Sequence, residues 1–162
     1  MYAYDPSAWT DLFVATAGAA AALAGLLFVA ISINLKQILG EAGLPERALE
    51  AVLMLVTVLV VAIVCLIPGQ SQGVFGVELF LITAALAFAI LKPIRGMPKD
   101  APRAWLAGRW ALRLIGTVPL LIGAISVMIG DGGGLYWVVA GVIFATLSAV
   151  ANAWVLLVEI LR

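Results

Sequence analysis

The sequence predicts an all-α integral membrane bundle of five transmembrane helices, with the N-terminus outside and the C-terminus cytoplasmic. Three observations carry that prediction. Five apolar runs each approach the ~20 helical residues needed to cross ~30 Å of hydrocarbon. Of the 162 residues, 65% are hydrophobic and 11% charged, too few polar groups to clothe a water-facing domain. With five crossings, all nine basic residues (Lys36, Arg47, Lys92, Arg95, Lys99, Arg103, Arg109, Arg113 and Arg162) fall on one side, as the positive-inside rule requires of the cytoplasmic face. Four or six crossings would put Arg162 on the other side.

The chain reads as one transmembrane domain over residues 1–162, with helices at 8–39, 45–67, 73–91, 104–129 and 135–161. Tyr2, Tyr4 and Trp9 precede the first span, amphipathic rings suited to the headgroup zone. Residues 1–11 contain no lysine or arginine, so they lack the positive n-region of a cleaved signal and the first span is expected to stay. Gly40 is placed to end that span and Pro45 to sit in the first turn of the second. Pro68-Gly69-Gln70-Ser71-Gln72 stops the second span, and Asp131-Gly132-Gly133-Gly134 reads as a flexible turn before the fifth. Between the third and fourth spans, Lys92 to Arg103 is basic and broken by Pro93, Pro98 and Pro102, so it reads as a loop.

In the first span Ala15, Gly18, Ala22, Gly25, Val29 and Ser32 recur at spacings of three and four. They form a shallow seam of the kind that lets helices approach closely in lipid, where association depends on van der Waals contact. Gly141, Ala145, Ser148, Asn152, Val155 and Glu159 form a second seam on the fifth span, more polar toward its end.

The remaining polar groups are sparse. Glu78 sits about two turns into the third span, with no cation expected at its depth. An acid there must snorkel, hold a proton or cation, or reach water, so Glu78 is the intramembrane candidate. Arg109 and Arg113 lie one turn apart on the fourth span, at a depth where Glu159 or Glu50 can pair with them. With Lys92, Arg95, Lys99 and Arg103 they could also contact anionic lipid headgroups. Pro119 deprives Ile115 of its helical donor and makes a kink near Gly116 a hinge candidate. Ser148, Asn152 and Glu159 could line a watery path if the fifth span faces an oligomer axis, or else hydrogen-bond between helices.

Zero net charge argues against a nucleic-acid partner. Without histidine, and with Cys65 alone inside an apolar run, no metal or cofactor site is expected. There is no nucleophile–base pair or phosphate loop, so the chain is not expected to be an enzyme.

The segment Asp11-Leu12-Phe13-Val14-Ala15, continuing through Ala24-Gly25-Leu26-Leu27-Phe28-Val29-Ala30-Ile31-Ser32-Ile33-Asn34-Leu35, resembles the first helix of short bacterial integral membrane proteins. Some of these are labelled modulators of a membrane-anchored AAA protease. The resemblance covers about a fifth of the chain and implies a multi-pass protein of the inner (plasma) membrane that acts on other membrane proteins. The residues thus support an interaction protein that self-assembles or binds membrane partners through its seams. The alternative is a small oligomeric channel or transporter with Glu78 or the fifth-span seam facing the path.

Overall fold

A computed structural model describes residues 3–91 and 103–160 of the chain. After a single turn of 3-10 helix at Pro6–Trp9 come α1 (Thr10–Ile33), α2 (Leu35–Gly40), α3 (Leu44–Cys65), α4 (Gln72–Ile90), α5 (Arg103–Ile129) and α6 (Leu135–Ile160). All but α2 are long and apolar enough to cross a membrane. Among the described residues there are thus five candidate membrane spans, the pattern of a multi-pass membrane protein.

The expected unbroken helix over 8–39 is divided. Asn34 departs from helical geometry, and its side-chain amide donates to the Ala30 carbonyl at 2.9 Å, competing for the acceptor that the backbone N–H also uses. Ser32 back-bonds to Phe28 in the same turn at 2.8 Å. Such local side-chain bonds bend or stop helices. The chain restarts as α2, which Ile38 anchors in a small cluster with Leu44, Ala48 and Leu156. Gly40 ends α2, and Pro45 sits in the first turn of α3 as expected.

Helices α3, α4, α5 and α6 form a ring in which each packs on its neighbours, while α1 lies against α3 on the outside. Antiparallel α5 and α6 meet where side chains are smallest. A methyl group on Gly116 would stand 3.4 Å from Ala145 Cα, and one on Gly123 would stand 2.7 Å from the Val138 nitrogen. Gly76 does the same for α4, because a methyl there would lie 2.6 Å from Met128 Cα. Close backbone approach through small residues is how helices hold together in lipid. Large apolar side chains such as Leu26, Phe28, Leu81, Phe88 and Trp154 point outward, the reverse of a water-soluble surface.

At one end, the turn from Gly130 to Gly134 is tied down rather than loose. Gly130, Gly132, Gly133 and Gly134 all have positive φ, the region only glycine enters freely. The Ser126 hydroxyl donates to the Asp131 carbonyl and accepts from the Gly134 N–H. The Ala3 carbonyl accepts from Leu135 N–H at 2.7 Å, and Tyr4 Oη accepts from Gly133 N–H at 3.1 Å. Trp9 meets Tyr136 edge-on at 4.9 Å. This end carries Asp5, Asp11, Glu78 and Asp131; the opposite end carries every basic side chain among the described residues, namely Lys36, Arg47, Arg103, Arg109 and Arg113, together with Glu41, Glu46 and Glu50.

Candidate functional site

The most polar buried feature lies toward the basic end, inside the ring. Glu50, six residues into α3, is buried, and its Oε1 accepts from Arg109 Nη2 at 2.9 Å and from Arg113 Nη2. Both arginines occupy one face of α5 because they are four residues apart. Arg113 also lies 5.1 Å from the centre of the Trp110 ring. The turn before α3 closes over Arg109: Gly43, with φ +86°, leaves its missing Cβ 3.7 Å from Nη1.

The helix positions that create this cluster follow from sequence. α3 enters the bilayer with Glu46, Arg47 and Glu50 still in its first two turns, and α5 does so with Arg109 and Arg113. Beyond them the buried side chains of α3 and α5 are apolar apart from the hydroxyls of Thr57, Thr117 and Ser126, so the charges are left to pair with each other. A carboxylate held by two guanidiniums offsets the desolvation that one pair alone would face. Around it, Arg47, Thr117, Ser148 and Asn152 are buried as well. Ser148 donates across to the Leu112 carbonyl of α5 at 3.0 Å. The arrangement fastens α3, α5 and α6 together at one depth.

Glu50 is thus the described partner of Arg109 and Arg113. Glu159, offered as a second partner, lies outside the described side chains. Lys92, Arg95 and Lys99 also lie outside the described residues, while Arg103 is exposed at the start of α5. The buried Arg47 was not foreseen as a core residue; its place three residues before Glu50 was the available signal.

Glu78 is half-buried at the acidic end, and its Oε2 accepts from Gln70 Nε2 at 2.6 Å. The loop amide supplies the partner that no lysine or arginine could. In the sequence Gln70 reads only as part of a helix stop, since it precedes α4 by two residues.

The two seams separate. Gly141, Ala145, Ser148 and Asn152 are all buried within the chain, Gly141 against Leu120 of α5 and Ser148 bonded to the Leu112 carbonyl. By contrast Ala15, Gly18, Ala22, Gly25, Val29 and Ser32 are exposed, with no atom within 4 Å of where a Cβ on Gly18 or Gly25 would be. Within the protomer α1 instead buries Phe13, Ala20, Ala24 and Leu27, a face with more area to give up on contact. Gly116, the hinge candidate, sits in the tight α5–α6 crossing, and α5 runs through Pro119 without interruption.

Among the described residues no three histidine, cysteine, aspartate or glutamate side chains gather as a metal site. No protein-family model, curated protein or solved structure matches the chain.

Proposed function

We propose that the protein is a membrane-embedded assembly module that self-associates, or binds another membrane protein, through the outward face of α1. One observation carries the reading: the small-residue seam of α1 faces away from α3 and packs against nothing in its own chain. A helix that secures itself by one face and offers small residues on the opposite one is built for a second transmembrane helix. The ring supplies a rigid base, locked at its basic end by Glu50 and the two arginines. The positive-inside rule orients that end to the cytoplasm and the acidic end outward, with the chain in a bacterial inner membrane. The resemblance of the first span to protease-modulating membrane proteins extends the partner class to other inner-membrane proteins, and the basic end favours anionic headgroups. The channel alternative is the less favoured reading because Ser148 and Asn152 are buried within the chain and Glu78 is bonded to Gln70.

The test is association in proteoliposomes, read by energy transfer between chains labelled at Asp131→Cys. Gly18→Leu with Gly25→Leu should weaken association by about tenfold or more, ~1.4 kcal/mol, without lowering the melting temperature. If purification from native membrane recovers only monomers, and the double variant behaves as the parent, the reading is wrong.

A further inference from the structure

Because α1 rests mainly on α3, its contact with α6 is split by two apolar clefts. The one nearer the basic end has a volume of about 290 Å³ and is walled by α1 and α6, with Leu23, Leu27, Ile31, Ala149, Ala153 and Leu156 among its lining residues. Asn34 is its one polar wall residue, and the Asn34 amide is already turned to the Ala30 carbonyl. A second cleft of about 250 Å³ continues the split toward the other end and shares Leu23.

We infer that the larger cleft holds one acyl chain of an anionic phospholipid from the leaflet at the basic end. Three observations select this occupant. First, the lining is apolar save for Asn34, whose amide is already bonded, so a slender polymethylene chain fills the split without leaving a polar group unpaired. Second, the length agrees. The α1 wall runs from Leu23 to Asn34, ~16 Å of helix, close to the ~15 Å that one leaflet contributes to the hydrocarbon core. Third, the cleft ends at the end of the molecule that holds the described basic side chains. Lys36 stands exposed on α2 between the lining residues Asn34 and Ile38. It stands just past the end of the first candidate span, Pro6–Ile33, and a lysine beside a membrane attracts an anionic phosphate. This face of α1 is distinct from the outward seam, so the inference stands without the proposed assembly role.

The experiment uses the full chain in nanodiscs of equal parts phosphatidylcholine and phosphatidylglycerol, with mass spectrometry of the protein released with its retained lipid. The expected result is one phosphatidylglycerol per chain. Ala153→Phe and Ala30→Phe, which fill the cleft from opposite walls, should each reduce retention several-fold. Leu81→Phe, on the exposed side of α4, should not. Lys36→Gln should bring the two lipids to equal retention. In the unsubstituted protein, a photoreactive diazirine phosphatidylglycerol should mark α1 and α6 at the cleft walls. That readout needs no variant and holds even if a phenylalanine disturbs folding. The inference is overturned if adducts spread evenly over the outer surface, or if both cleft-filling variants retain lipid as Leu81→Phe does. It is equally overturned if Lys36→Gln leaves the lipid preference intact, or if the cleft-filling variants abolish a dimer while lipid retention stays the same, since the occupant would then be a second copy.

Discussion

Glu50 is the residue on which the basic end depends, because a single oxygen receives both guanidiniums. Glu50→Gln would leave Arg109 and Arg113 without that charge in a buried setting, and removing one member of such a group costs about 3–5 kcal/mol. Unfolding by titration with a denaturing detergent should show a loss of that size, and a change under 1 kcal/mol would mean that water already reaches the cluster. Asp5, at the exposed end of the chain, behaves differently. Hydrogen bonds from the Ser7 hydroxyl at 2.7 Å and the Ser7 N–H at 3.0 Å hold its carboxyl below the ordinary value of 3.8. A depressed carboxylate stabilises the fold above its unfolded value and stops doing so as pH falls through its folded one. The cap of the Pro6–Trp9 turn should therefore persist at pH 4 and loosen only in stronger acid. A carboxyl-carbon titration of Asp5 should give a midpoint below 3.8, rising part of the way back in Ser7→Ala, which removes the hydroxyl donor and keeps the backbone N–H. The pairing of charges was legible from sequence in kind but not in full. Arg109 and Arg113 announce themselves by their spacing, whereas the place of Glu50 beside them depends on how the ring brings the starts of α3 and α5 to one depth.

Two helices separate a glycine that packs from one that waits. Gly76 of α4 has Met128 against it, and Gly18 of α1 has nothing within 4 Å. Leucine at position 76 should push α4 off α5 and cost about 1–3 kcal/mol, while leucine at 18 should leave the melting temperature of the monomer unchanged. Equal effects at the two positions would show that α1 is not open on that side. Sequence shows that both first and fifth spans carry small-residue stripes, but periodicity cannot say which stripe meets a helix of the same chain. That was decided by neighbours: α6 lies between α3 and α5 and must use its stripe for α5, whereas α1 has a single close neighbour and spends Phe13 and Leu27 on it. The break at Asn34 was hidden for a similar reason. Apolar periodicity continues through it, and the interruption comes from one side-chain hydrogen bond.

For the molecule as a whole, five crossings and charge asymmetry were legible because lipid imposes length and polarity on every span. The arrangement of the ring was not, since all five helices are apolar on nearly every side. Orientation is open to a direct test. In intact cells Asp131→Cys should react with a membrane-impermeant thiol reagent, and Glu41→Cys only after permeabilisation. The native Cys65, being buried, should stay silent in both. The reverse pattern would invert the molecule.

The hydrogen bond between Tyr4 and Gly133 joins positions 129 apart. During synthesis the ribosome delivers Tyr4 long before its partner exists, so the nascent chain inserts its opening helix with that latch undone. Only when the last hairpin has left the insertion machinery can the latch close, which makes its closure a late event in biogenesis. A chain arrested before α6 should accordingly leave the Tyr4 ring open to iodination from outside, and release of the arrest should protect it.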